Sequence, residues 1–148
     1  MKRLFTVFIA LLLAVAAWSQ NDKADNILGV YYANDEGDNF RMRVTKEADG
    51  TYKGQIIWVE NKYDKNGQVF RDTNNPDKSL RNVPCDQIVL FKGLKYDSEK
   101  QRWGGTKVYH PKMGIKANLS IRFKDATHMV MTGSLVGIKQ TRDFLKEE

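Results

Sequence analysis

The chain has 148 residues, a formal net charge of +6, two histidines and one cysteine. That length suits one domain with a core of its own, and a lone cysteine excludes an intramolecular disulfide, so the fold must stand on that core. Lys and Arg are scattered among Asp and Glu, as in EADGTYKG and KYDSEKQR. Without a basic run interleaved with aromatics, a nucleic-acid partner is not expected.

The N-terminus reads MKRLFTVFIALLLAVAAWSQ. Lys2 and Arg3 form a positive start, and two of the formal charges belong to them. Leu4 to Ala17 is an apolar run too short for a comfortable membrane span. Ala17-Trp18-Ser19 then offers small residues at the positions a signal peptidase reads. The expectation is a signal peptide over residues 1–19 and a single domain over 20–148, periplasmic or secreted. No membrane span is expected after cleavage; an uncleaved anchor is the alternative.

After a polar lead, QNDKADN, short β-like runs alternate with turn signals. ILGVYYA comes first, then the turn NDEGDN, then FRMRVTKE. In the last, Phe40, Met42 and Val44 share one face and Arg41, Arg43 and Thr45 the other, the period of two of a half-buried strand. Ala48-Asp49-Gly50 is a hairpin turn. TYKGQIIWVE follows, with Ile56 and Trp58 assigned to one face and Ile57 and Val59 to the other. Beyond a long connection come QIVLFKGLKYD, with Gly93 as a bulge, and QRWGGTKVYH. After the turn at His110 to Gly114 come IKANLSIRFK, HMVMTGSLV and IKQTRDFLK. About eight strands joined mostly by short turns predict an all-β fold, a single antiparallel up-and-down barrel, with a two-sheet sandwich as the alternative. A barrel of eight strands is filled by its side chains or holds one small ligand.

The connection from Asn61 to Pro84 contains RDTNNPDKSLRNVP. A calcium loop fits poorly, because Gly67 and Asn75 fall at the wrong places after Asp64. Asp72 and Asp77 as a catalytic carboxylate pair compete with ordinary solvated loop acids. Loop chemistry accounts for every residue. Asp64 to Gly67 makes a turn, Asn75 caps a short helical turn, Pro76 takes its first position and Asp77 sits where the helix dipole favours negative charge. Lys78 and Arg81 lie toward its other end, and Pro84 stops it. The same loop can close one barrel mouth and bring Arg81 to a site there.

No HExxH, CxxC, GxSxG or phosphate-cradling glycine loop is present, and His110 and His128 are separated. The expectation is therefore no catalytic residue, no metal, no cofactor and no enzyme, a hydrolase using loop carboxylates being the weak alternative. Cys85 reads as a small, partly buried residue; an intermolecular disulfide and a reactive thiol are the sharper alternatives. Large amphipathic side chains, Tyr31, Tyr32, Trp58, Trp103 and Tyr109, suit an apolar pocket, and Arg81 or Arg142 could meet an anionic head group. The same aromatics could equally fill a closed core. Small residues such as Gly54, Ala117, Ser120 and Gly133 leave room for a ligand wherever they face in.

RDTNNPDKSLRNVP, IVLFKGLKYD, RWGGTKVYHPKMG and GSLVGIKQT together resemble a family of small exported bacterial proteins, domain of unknown function 2147. The resemblance runs from Ile27 to about Phe144. It singles out Asp72, Asn75, Pro76, Asp77, Leu80 and Arg81 as the motif loop. It implies a lipocalin-type, calycin-like barrel and supplies no reaction. Tyr31 stands where the family pattern has Trp, and Arg142 where its ending has an aromatic. In lipocalin-like barrels such a Trp packs under an Arg of the last strand, so the resemblance suggests a Tyr31–Arg142 contact. The functional expectation is a small, largely apolar or amphiphilic ligand in or at the mouth of the barrel. The alternative is a filled barrel that acts in the cell envelope through its outer surface, on a protein partner the sequence does not name.

Overall fold

The structure is a computed structural model describing residues 23–35 and 37–147. The expected signal peptide lies outside the described residues. Among these, nine strands follow in chain order: β1 Gly29–Asp35, β2 Asp38–Lys46, β3 Tyr52–Val59, β4 Val89–Asp97, β5 Arg102–Gly104, β6 Lys107–His110, β7 Ile115–Phe123, β8 His128–Leu135 and β9 Ile138–Lys146. They form one antiparallel sheet in the order β5-β4-β3-β2-β1-β9-β8-β7-β6, and β5 also pairs with β7 through Trp103 and Ile121. That last pairing closes an eight-strand barrel with one extra strand. The extra strand arises where the RWGGTKVYH run breaks at Gly104-Gly105, with Gly105 at φ +80°. A closed ring, rather than two facing sheets, leaves few strand edges open.

The period of two sets the interior. Phe40, Met42 and Val44 of β2 are buried, as are Leu119 and Ile121 of β7. Two bulges then re-aim side chains. Gly93 takes φ +73°, and around it the pairing slips from Tyr52↔Leu94 to Gly54↔Phe91, as a glycine bulge does. Between β2 and β3 the pairing passes from Met42↔Ile56 to Arg41↔Trp58. Ile57 is the extra residue, so Trp58 turns to the outer face with Arg41. The shared face assigned to Ile56 and Trp58 is thereby corrected: one inserted residue reverses every side chain beyond it.

One end of the barrel is plugged by residues 23–28, whose first residues form a helical turn. Side chains from four strands tie it down. The Tyr31 hydroxyl donates to Ile27 O at 2.8 Å and Trp103 Nε1 to Ala24 O at 3.1 Å. Tyr52 donates to Asp25 Oδ1 at 2.6 Å and Lys146 Nζ to Asn26 O at 2.7 Å. Beneath it Tyr31, Phe123, Trp103 and Tyr96 form a chain of ring contacts with centroids 4.7–6.4 Å apart. The expected Tyr31–Arg142 contact is corrected here. Tyr31 pairs with Lys146 across β1 and β9, and the Lys146 ammonium lies 6.0 Å from the Tyr31 ring. Arg142 sits four residues earlier in β9, toward the other end.

The long connection from β3 to β4 lies at that other end. It contains a small hairpin, Tyr63↔Val69, and a bridge, Arg71↔Pro84. Its single helical turn, Lys78–Leu80, is capped by Asp77, whose carboxylate accepts from Ser79 N at 3.0 Å. The cap expected at Asn75 is thus corrected by two residues. Asn75 Oδ1 instead accepts from Asp77 N at 2.9 Å, forming an Asx turn that leads into the cap.

Candidate functional site: a divided mouth

At the open end two chambers meet at Phe40. The first, about 520 Å³, lies under the β3–β4 connection and is lined by Asp35, Asp38, Ile56, Phe70, Asp72, Cys85 and others. The second, about 670 Å³, lies between β4, β6, β7, β8 and β9. Leu90, Met131 and Phe144 line it with Phe40, along with Val108, Ala117 and Gly133. These last three leave the width. A Cβ on Gly133 would touch Ala117 Cβ and Val108 Cγ1 at ordinary contact distance.

Two polar bridges join the chambers beside Phe40. Arg142 Nη2 lies 2.6 Å from Asp35 Oδ1. Asp35 is buried, yet this oxygen has no directed hydrogen bond, so Arg142 holds it by charge alone. The second bridge is neutral on one side. The Tyr109 hydroxyl donates to Asp72 Oδ1 at 2.7 Å, and Asn75 Nδ2 donates to Asp72 Oδ2 at 2.8 Å. Burial, with the Asp72 bond adding to it, pushes the Tyr109 hydroxyl well above its ordinary range, so Tyr109 stays a neutral donor. Asp72 is only 3% exposed; a carboxylate that deep needs its donors supplied by the fold.

The motif loop works mainly as this scaffold. Arg81 Nε donates to Asn75 O at 2.8 Å, which fixes the turn holding Asp72. Asn74 Nδ2 donates to Lys112 O at 3.0 Å in the β6–β7 hairpin. Gly114 must be glycine there: at φ +64° a Cβ would run into Asn74 O. Arg81 itself lines neither chamber. Pro76, Asp77 and Leu80 border a groove on the outside, beside β4 and β6.

Of the sequence candidates, the structure brings Tyr109 and Arg142 together at the second chamber and Asp72 to the first. Tyr31 and Trp103 are buried in the plugged end and face no chamber. Trp58 is on the outer face, with the Arg41 guanidinium 4.6 Å from its ring and 5.3 Å from that of Tyr32. Among the small residues, Ala117 and Gly133 line the second chamber, but the space beside Gly54 is taken by the Phe91 ring. Sequence reasoning missed Asp35 and Phe40. Phe40 was legible as inward-facing but not as a divider.

Cys85 lines the first chamber. Burial, then the neighbouring Asp86, pushes its thiol up, away from the thiolate a reactive cysteine needs. Asp64 accepts from Asn66 N at 2.8 Å and Gln68 N at 2.9 Å within its own turn, so its oxygens serve the backbone. Among the described residues no three His, Cys, Asp or Glu are grouped to hold a metal ion, and no helix is long and apolar enough to cross a membrane.

The sequence pattern of the family described as "Uncharacterized protein conserved in bacteria (DUF2147)" matches residues 29–146. No curated protein matches the chain. A solved structure, protein HP1028 from the human pathogen Helicobacter pylori, described as belonging to the lipocalin family, superposes with a TM-score of 0.66. It shares 18% identity over 82% of this chain and 83% of that one. At that identity the likeness shows the fold, a lipocalin-like barrel, and nothing of the ligand.

Proposed function

This chain belongs to the DUF2147 family of uncharacterized bacterial proteins, and on that premise we propose that it is an exported binding protein that holds one small amphiphile in the second chamber. The observation that carries this reading is the unequal filling of the barrel. One end is packed solid with aromatic rings, while the other keeps about 670 Å³ open, within the usual range for small-molecule sites. The lining is chiefly apolar. Its polar groups, Tyr109, His110, Gln140, Thr141 and Arg142, include no acid.

An apolar tail would lie along Val108, Ala117, Met131 and Gly133. A neutral or anionic head would turn toward Arg142, competing with Asp35 for its guanidinium. The first chamber carries Asp35, Asp38 and Asp72 and is the poorer place for an anion. Binding, rather than catalysis, suits carboxylates and a thiol occupied in structural roles. Export rests on the Lys2-Arg3 start and the apolar run behind it.

Native mass spectrometry tests this on protein purified gently from the exported fraction, beside the same sample denatured. A discrete extra mass lost on denaturation is expected. A clean apo mass across preparations from different growth conditions would contradict it. It would favour the second reading, action through the outer surface, for which the exposed Trp58–Arg41–Tyr32 stack is the supporting feature.

A further inference from the structure

Beside the second chamber, two hairpin tips carry large apolar side chains into solvent. Val136 is 94% exposed, Ile138 69% and Met113 58%. The tips belong to neighbouring hairpins, β6–β7 and β8–β9, because β7 and β8 pair up to Asn118↔Ser134 near their mouth ends. Their apolar surface runs on into the chamber through Met113, Ile115, Leu135 and Ile138. Trp58, one of the exposed rings elsewhere, is covered by Arg41; these tips carry no such cover among the described contacts.

The turn itself is built against local preference. Val136 takes φ +49° and Gly137 φ +75°, the pair of positive angles that a two-residue hairpin turn needs and that Asn-Gly satisfies. A β-branched residue at positive φ is an outlier with a conformational cost. The sequence therefore keeps an apolar group at a fully exposed turn where Asn would fold more easily.

Charge points to what the tips meet. From Lys100 to Lys124 the chain has no Asp or Glu, and from Ala126 to Arg142 again none. Lys112, Lys116 and Lys139 flank the two tips, Lys112 reaching Asp38 at 2.7 Å. Asp77, on the outer groove, lies close enough to Lys116 to act on it; the other acids of the mouth, Asp35, Asp38 and Asp72, line the first chamber under the β3–β4 connection. Apolar tips set among lysines match the interface of a bilayer with anionic head groups. A second copy of the same rim would set lysines against lysines.

We propose that the β6–β7 and β8–β9 tips dock the barrel, chamber mouth first, on an anionic lipid bilayer. Docking does not depend on the chamber being occupied, so this proposal and the ligand reading can fail separately. The test is co-sedimentation of the chain from Gln20 on, which carries all nine described strands, with phosphatidylglycerol-containing vesicles and with pure phosphatidylcholine vesicles. Binding to the first and little to the second is expected. Val136→Asn should bind about tenfold more weakly, the loss of one valine's burial, while unfolding at the same or a higher temperature. Lys116→Glu with Lys139→Glu should remove the preference for anionic lipid. Absence of binding to the anionic vesicles would overturn the proposal, as would equal binding of parent and Val136→Asn. So would a concentration-dependent dimer that Val136→Asn dissolves, which would make the rim a self-contact.

Discussion

At the plugged end of the barrel, aromatic rings touch one another and their polar atoms bond to backbone carbonyls of residues 24–27. At the mouth, side chains bridge side chains across open space: Arg142 to Asp35, Tyr109 to Asp72. The first arrangement buries area, and its stabilisation scales with that area. The second buries charge and needs each partner to stay in place. The same strands thus make a base packed by rings and a rim held by polar bridges, as a fold does when its loops and strand ends carry function on a stable frame.

Substitutions should separate the ends. Trp103→Ala opens a void among Tyr96, Phe123 and the 23–28 plug and frees the Ala24 carbonyl. A loss of about 3–5 kcal/mol is expected for a buried aromatic, read by urea unfolding. At the mouth, Tyr109→Phe leaves buried Asp72 with one donor fewer, and a loss of about 1–3 kcal/mol follows. If the bridge is the cause, a double-mutant cycle with Asp72→Asn will show coupling rather than additivity. Additive losses would mean that the two residues merely pack.

Titration sharpens the contrast. Tyr31, Tyr52 and Tyr109 all have their hydroxyls pushed above the ordinary tyrosine value of 10.0, each chiefly by burial. The folded state holds these protons more tightly than the unfolded chain. Their contribution is therefore complete below pH 10 and is lost as pH rises above it. Two of the three belong to the plug, so Tyr109→Phe should leave most of the alkaline transition, and Tyr31→Phe combined with Tyr52→Phe should remove more of it. On the acid side, backbone bonds from Thr127 and the His128 ring hold Asp125 down to about 2, and Tyr52 and Lys46 hold Asp25 down. Stability from these carboxylates is present above the ordinary Asp range and falls as pH drops through it toward 2. Asp25→Asn should flatten that acid slope in a pH series of melting temperatures.

The smallest effect is expected in the chamber. Ala117→Leu adds volume to open space, so stability should change by less than about 1.5 kcal/mol. The same change made against packed neighbours, Gly54→Leu, would drive a side chain into Phe91 and prevent normal folding.

Much of the barrel was legible because its signals are local. Alternation in Phe40, Met42 and Val44 marked the interior, Asp49-Gly50 marked a hairpin, and Gly93 marked a bulge. What escaped depended on events elsewhere in the chain. Trp58 faces out because of one extra residue opposite β2, which no pattern in QIIWVE reveals. The lead QNDKADN reads as polar and Ile27 as the start of a strand, yet residues 23–28 plug the barrel, held largely through backbone carbonyls, which every residue has and no side chain advertises. Asp72 looks like a loop acid until Tyr109, 37 positions later, comes to meet it. Arg142 meets Asp35 rather than the Tyr31 that the resemblance suggests, since register around a closing barrel is set by all nine described strands together. Tyr109 and Arg142 were recognisable as candidates by type; their meeting at one chamber was not.

The central claim is that the second chamber receives a ligand's apolar tail. Its most direct test is saturation binding of a fluorescent long-chain alkyl probe to the parent chain and to Ala117→Leu, at concentrations where neither self-associates. Saturable one-to-one binding to the parent, weakened at least tenfold in a variant of unchanged stability, is the predicted result. Equal binding by both would contradict the account and place the probe outside the chamber.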